Sequence, residues 1–422
     1  MDLSGIPGGQ VRKEIRETIE NQLQSQNYRV TVTAASKEGE NNFVGVVYRV
    51  SFNAVDESEN NTKSSMIVKV APQNETRRTQ FHLRERFLQE IFMYNEVLSY
   101  FRQFELSKGV INKENGFTEY PICYRTLDED PSECLLLEDL NIRGFSIIDR
   151  FTEEVTADHV RLFMKALGKL HALSFALNDQ QPEKFQALAS NLKECIRTDN
   201  SVFRDYFRKQ TEHVLDILRH EEDTDLLSRM KDLFKTDAID IAANCLNPKS
   251  AENGSVISYG DAWQNNSMYR YDDQGKPIEI SFLDWQISRH STPIIDIAYF
   301  IFSCTTKELR DAHYDEFLNI YHDNLSAHIR RLGSDPDKLF SYDVMQEHLR
   351  KFGKIGLIFA TSVLPVITAE KGNVLDLDEV ANSIANSGNA DHYNNFISDK
   401  SRDKFNKRMK GVVVDMVRLG YI

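Results

Sequence analysis

The sequence predicts an α+β fold of two lobes, a small five-stranded lobe with one main helix and a large, mostly helical one. Three observations predict it. Alternating apolar and β-branched segments crowd the first 140 residues, helical periodicity dominates after residue 155, and one island of short strands and turns, residues 255–290, interrupts the helices. At 422 residues the chain exceeds one compact core, and the change of pattern divides it into 1–140 and 141–422.

The elements follow in order. Val11, Ile15, Ile19 and Leu23 recur every four residues and mark the apolar face of an opening helix. Residues 28–33, 43–52 and 65–70 alternate as strands, with the polar turn Asp56–Lys63 between the second and third. Phe87, Ile91, Tyr94 and Leu98 line one side of a helical stretch over 80–104. Residues 120–124 and 134–137 read as two further strands, Pro121 suiting a strand start or an edge. After a connector at 138–145, helical periodicity runs through 157–178, 202–220, 224–246, 307–332, 341–364 and 402–419.

Composition excludes several classes. Lys and Arg number 51 against 64 Asp and Glu, a net charge of −13 with no long run of like charge. Such a chain offers no basic surface for nucleic acid or anionic membrane. Its 41% apolar content supports a packed core rather than a disordered chain. Five scattered cysteines, Cys123, Cys134, Cys195, Cys245 and Cys304, form no CxxC pair and point to a reducing compartment. The opening residues lack an apolar signal stretch and no uncharged apolar run is long enough to span a bilayer, so the expectation is a cytoplasmic protein without membrane insertion.

The island carries the chemistry. Ser258-Tyr-Gly-Asp-Ala-Trp-Gln-Asn-Asn266 is followed by Ser281-Phe-Leu-Asp-Trp-Gln286, and both tryptophans of the chain lie in these segments. Asn266 and Asp284 offer hard oxygens of the kind magnesium takes while it keeps phosphate and water ligands. Asp261, free of metal, could orient and deprotonate an attacking hydroxyl. Read alone, Gly-Asp and Asn-Asn are also ordinary turn dipeptides. Upstream, Lys69 faces away from Val68 and Val70, either into solvent at an edge or as a cation for nucleotide phosphates paired with Glu90. Gly39–Gly45 bridges two strands and could bring backbone N–H groups to phosphate. Glycine turn, strand lysine, helix glutamate, connector, Asp…Asn, then Asp is the serial order of a bilobal kinase.

On these residues the chain resembles the ecdysteroid kinase-like (CHK kinase-like) family, within the wider set of aminoglycoside phosphotransferases and choline kinases. The resemblance runs over about residues 30–420 and is carried by Gly39-Glu-Asn41, Val68-Lys-Val70, Phe87-Leu-Gln-Glu-Ile-Phe-Met-Tyr94 and Leu137-Glu-Asp-Leu140. It continues through Leu167-Gly-Lys-Leu-His-Ala172, Tyr259–Asn266, Leu283-Asp-Trp-Gln286 and Thr292–Ala298. It implies a protein-kinase-like bilobal fold and Mg2+-dependent phosphoryl transfer from ATP to a hydroxyl of a small molecule, with a steroid the family-weighted acceptor.

The resemblance also implies roles. Gly39 and Asn41 belong to the nucleotide loop, Lys69 contacts the α/β phosphates, and Glu90, rather than Glu96, pairs with it. Leu137, Glu138, Asp139 and Leu140 form the connector that meets adenine. Asp261 is the base or hydroxyl-orienting residue, Asn266 and Asp284 are magnesium ligands, and His171 and Asp296 are structural. One departure stands out: Tyr259 occupies the usual histidine position, where it can brace the loop without titrating at neutral pH. That departure motivates a second reading, a nucleotide-binding protein with weak catalysis. A metal-dependent hydrolase would leave Lys69 and the glycine turn without a role. A protein kinase would carry an Ala-Pro-Glu segment after Asp284, whereas the chain runs directly into a helix after Pro293. Choline-like and aminoglycoside-like acceptors remain alternatives to a steroid, and Gly356–Pro365 is apolar enough either to wall a greasy pocket or to be a buried core helix.

Overall fold

Alternation along one strand sets the geometry of the smaller lobe. In β3 (Ser64–Val70), Met66, Val68 and Val70 turn to one face of the sheet and Ile67 and Lys69 to the other. The structure is a computed structural model describing residues 3–35, 45–54, 64–112, 114–196, 198–252, 254–371, 376–387 and 399–422. Gly39, Asn41 and the turn at 56–63 lie outside the described residues.

Strands β1 (Tyr28–Ala34), β2 (Val46–Ala54), β3, β4 (Cys123–Leu127) and β5 (Cys134–Glu138) form an antiparallel sheet in the order β1-β2-β3-β5-β4. β3 is therefore central, which removes the solvent-edge reading of Lys69. Helix α1 (Gly9–Leu23) packs Val11, Ile15 and Ile19 onto Val50, Phe52, Met66, Val68 and Leu136. Each such side chain contributes roughly 1.5–3 kcal/mol of gross burial. The opposite face receives the helical stretch that follows β3.

That stretch is not one helix over 80–104. It divides into α2 (Glu75–Gln80), α3 (Leu83–Phe92), a π-helical turn at Met93–Leu98 and α4 (Ser99–Ser107). His82, at φ 50°, turns the chain between α2 and α3. The π-turn falls directly after Glu90, a placement common near functional residues. The fourth strand starts at Cys123 rather than Tyr120. Pro121 has no N–H to donate, and the Tyr120 ring packs instead against Phe117 and Trp285.

Beyond β5 the chain turns at Leu140–Arg143, and β6 (Phe145–Ile147) pairs with an element of the island. The helices are α5 (Ala157–Gln180), α6 (Pro182–Ala189), α7 (Ser201–Ile217), α8 (Thr224–Leu233) and α9 (Ala238–Leu246), then α10 (Ile294–Cys304), α11 (Lys307–Arg331), α12 (Pro336–Leu339), α13 (Tyr342–Phe352), α14 (Ile355–Thr368), α15 (Leu377–Ser387) and α16 (Asp399–Arg418). Two expected single helices are pairs: 224–246 breaks at 234–237, and 341–364 bends by 62° between Phe352 and Ile355. α5 and α11 pack closely because Gly168 lies at their contact, where a Cβ would sit 2.6 Å from the Tyr321 carbonyl. α10 is buried throughout and packs on α14. Among the described residues, no single helix is long and apolar enough to cross a membrane.

Candidate active site

The site begins where β3 meets α3. Lys69 Nζ lies 2.6 Å from Glu90 Oε2 and 2.7 Å from Asp284 Oδ1. Lys69 and Glu90 are both buried, whereas Glu96 is exposed on another side of the stretch. Burial opposes the lysine's charge, but the carboxylates of Asp284 and Glu90 outweigh it and hold the ammonium above its usual pKa. Burial, reinforced by the charge of Asp284, pushes Glu90 up to about 7 despite Lys69. Gly45 is where the stem of Lys69 passes: a Cβ there would press on its Cγ at 3.1 Å and on the Phe87 ring at 3.3 Å. Gln89 fixes α3 from the other side, donating to the carbonyls of Gln286 (3.2 Å) and Ser288 (2.9 Å).

The island places the remaining groups. It contains β7 (Val256–Ser258), β8 (Ser267–Tyr271) and β9 (Pro277–Phe282), with β10 (Arg289–Ser291) just beyond. β7 pairs with β10, and β6-β8-β9 forms a small sheet. The chain leaves β7 through Gly260 at φ 91°, where any Cβ would collide with the carbonyl of Ile287. The N–H groups of Tyr259 and Gly260 donate to the two oxygens of Asp296, at 2.7 and 2.8 Å. Asp296 in turn meets His171 Nε2 at 3.0 Å, and His171 Nδ1 meets the Tyr321 hydroxyl at 2.9 Å. All three are fully buried, so His171 and Asp296 hold the loop in shape away from the cleft.

Tyr259 is a brace. Its hydroxyl proton is shared between the carbonyls of Asn266, at 2.7 Å, and Leu283. Its ring stacks on Phe282 at 4.8 Å. The Leu283 N–H also donates to the Asn266 carbonyl at 2.8 Å, which sets Asn266 and Asp284 side by side. Asp284 takes a left-handed backbone, φ 61°, a strained conformation that functional sites retain when their surroundings enforce it. Both residues open on the cleft with Lys69.

These oxygens fit magnesium. Asn266 and Asp284 are the hard donors it prefers, and neighbouring Asn265 lines the same cleft, 2% exposed, with neither side-chain polar atom hydrogen-bonded. No cluster of three or more His, Cys, Asp or Glu among the described residues could hold a metal. A site of two or three protein oxygens leaves the rest of the ion's shell to phosphate and water.

Asp261 follows Gly260, and its Oδ1 accepts a hydrogen bond from the Tyr299 hydroxyl at 3.1 Å. Burial pushes its carboxyl up to about 6, helped by the charge of Asp284 and opposed by Tyr299 and Arg86. Tyr299 comes from α10, far along the sequence, and no local pattern marked it.

Two cavities flank this group. The first, about 280 Å³, contains Lys69, Glu90, Asn266 and Asp284 together with Leu137–Leu140 of the connector. Val47, Ile67, Leu137, Leu140, Ile147 and Met268 give it apolar walls. The connector's acidic side chains have structural partners: Asp139 accepts from Arg49 at 2.7 Å and Ser65 at 2.5 Å, and Glu138 from the Ile122 N–H and Arg143. Contact with a base at the connector therefore falls to backbone and apolar atoms. The second cavity, about 290 Å³, is walled by Phe81, Phe203, Tyr206, Phe207, Tyr299 and Phe359, with Arg86 and Arg289 also on its lining. Asp261 lines neither cavity but bonds to a residue of each, its carbonyl accepting from Asn266 Nδ2 at 3.3 Å and its carboxylate from Tyr299. α14 combines both readings of its sequence, being mostly buried while Phe359, Ser362 and Val363 line this cavity.

A family model described as the ecdysteroid kinase-like family matches residues 39–334. Sixteen solved chains match the structure. One, a GDP complex of a point mutant of aminoglycoside 2'-phosphotransferase-IIIa, is 10% identical, covering 93% of this chain and 97% of its own, with a TM-score of 0.41. Another, the GDP complex of the wild-type enzyme, is 8% identical, covering 97% and 99%, also with a TM-score of 0.41. No curated protein matches.

Proposed function

The chain belongs to the ecdysteroid kinase-like family and is a small-molecule phosphotransferase with an alcohol acceptor, and from that premise we propose that it transfers the γ-phosphoryl group of ATP to a hydroxyl of an apolar, steroid-like molecule. The observation that carries the reading is that Asp261 bonds to a residue of each cavity: its carbonyl accepts from Asn266 of the polar cleft at 3.3 Å and its carboxylate from Tyr299 of the aromatic cavity at 3.1 Å.

In this mechanism adenine sits between the apolar walls beside Leu137 and Leu140. Lys69, fixed by Glu90, holds the α and β phosphates. Asn266 and Asp284 hold magnesium, which when bound neutralises phosphate charge. Asp261, kept in place by Tyr299, orients the acceptor hydroxyl for in-line attack and takes its proton. Little covalent help is required, because the transition state is loose and responds to positioning and charge. The aromatic cavity supports a fused-ring acceptor over a cationic one, since no carboxylate lines it among the described residues.

The test is magnesium-dependent phosphate transfer, read by mass shift over hydroxylated steroids, cholines and aminoglycosides. A phosphorylated steroid is expected from the wild type. The Asp261→Asn variant should bind Mg·ATP but lose turnover by at least about a hundredfold. Full turnover in that variant, or transfer to aminoglycosides alone, would overturn the respective parts of the reading.

A further inference from the structure

Helix α3 serves both cavities. Glu90 faces the nucleotide cleft and grips Lys69, while Arg86, one turn earlier, lines the aromatic cavity. Among the described residues four cations line the two cavities, and three are held by carboxylates. Arg49 pairs with Asp139 at 2.7 Å, Lys69 with Glu90 and Asp284, and Arg289 with Glu194 at 3.2 Å. The Arg86 guanidinium, half-buried, has neither a hydrogen bond nor an ion pair among the described residues. Its charge nonetheless acts on Asp261, and it shares a wall with Tyr299, which bonds that carboxylate, and with Ile287, which packs on Gly260. A half-buried guanidinium that no carboxylate neutralises, on the wall it shares with Tyr299, is available to take an anion.

We propose that Arg86 binds the phosphoryl group during its transfer, holding the non-bridging oxygens from the acceptor side while Lys69 holds the nucleotide. The proposal rests on the kinase reading above. In the step itself, the bond from the β–γ bridging oxygen to γ-phosphorus breaks and its electron pair leaves with ADP. The acceptor oxygen forms the new bond, and its proton passes to Asp261. Arg86 stays protonated throughout and exchanges no atom. α3 then carries one grip for each partner in the reaction, spaced by one α-helical turn, and Gln89 anchors the helix between them.

The test is calorimetric binding of Mg·ADP with and without aluminium fluoride, a planar stand-in for the phosphoryl in flight, to the wild type, Arg86→Ala and Arg86→Lys. The wild type should bind ADP with aluminium fluoride at least about tenfold more tightly than ADP alone. Arg86→Ala should lose that gain while its Mg·ADP affinity stays within about twofold, and Arg86→Lys should keep part of it. Added guanidinium ion should restore some of the gain to Arg86→Ala. A gain retained by Arg86→Ala would remove Arg86 from the site. A parallel fall in Mg·ADP affinity would make it a prop for α3 instead, and a wild type without any gain would also overturn the proposal. A wild type that binds no Mg·ADP would remove the kinase reading as well, so the two failures are distinguishable.

Discussion

Lys69 and Asp284 are 215 residues apart in sequence and 2.7 Å apart in the cleft, where the same ammonium also holds Glu90 at 2.6 Å. One cation thus joins the sheet, the helix behind it and the loop that carries the candidate metal ligand. The arrangement is stable only while the positive charge remains.

Lys69→Met should therefore destabilise the protein as well as weaken nucleotide binding. It leaves two carboxylates facing each other without a cation, a loss of about 3 kcal/mol in urea unfolding. Adding Glu90→Gln should recover about 1 kcal/mol or more of that loss by removing one buried charge. Identical unfolding of the single and double variants would show that Glu90 is already neutral once Lys69 is gone.

Tyr259→Phe removes the proton shared by the Asn266 and Leu283 carbonyls. Losing that donor, while the Asn266 carbonyl keeps the Leu283 N–H, should cost about 1 kcal/mol or more. Phosphotransfer should fall with it, because the segments of Asn266 and Asp284 lose one of their two ties and keep only the Leu283 N–H bond. Tyr259→His, which returns one N–H donor, should restore part of the stability in the same denaturation experiment.

Gly260→Ala should be among the most damaging small substitutions in the chain. The residue sits at φ 91° and a methyl there runs into the Ile287 carbonyl. The expected loss is about 3 kcal/mol or more. Gly275→Ala, at φ 77° but with open space around it, should cost much less, and equal losses would mean that strain alone governs both sites.

One buried histidine should make stability fall on acidification. His159 Nδ1 accepts the Thr156 N–H at 3.1 Å, and its Nε2 lies 3.0 Å from the Tyr271 hydroxyl, an arrangement that requires the neutral ring. Burial holds its pKa down at about 4, against about 6.5 when unfolded. The unfolded chain thus binds the proton first. The stabilisation is complete above pH 6.5 and is lost as pH falls from there through 4. His159→Gln should flatten the midpoint of urea unfolding across that window relative to wild type.

The charged groups that the fold brings together, Lys69, Glu90 and Asp284, are legible in the sequence because their types are scarce and their order is restrictive. An apolar strand containing one lysine, Lys69, and a turn containing Asp261 and Asn266 have few readings once they follow one another in a chain of two textures. Tyr299 and Arg86 were not legible. Each sits in an amphipathic or apolar helix where its neighbours satisfy the same periodicity, and only packing brings Tyr299 onto Asp261 and Arg86 to the same cavity wall as Tyr299. The helix breaks were hidden for a related reason. His82 adopts a left-handed turn with no glycine or proline to announce it, and the residues at 234–237 are compatible with helix until tertiary contacts decide. The strand expected over 120–124 begins at Cys123, on the edge of the sheet, because Pro121 has no N–H to give to the ladder.

The distance in sequence between Lys69 and Asp284 has a consequence for synthesis. A ribosome adding roughly 5–20 residues per second needs about 10–40 s to pass from one to the other. Throughout that interval the emerging sheet and α3 can form, but Lys69 has only Glu90 to meet. The cleft is finished by the late arrival of a loop, and a nascent chain stalled before residue 284 should present an assembled sheet with an open, protease-sensitive face where the second carboxylate belongs.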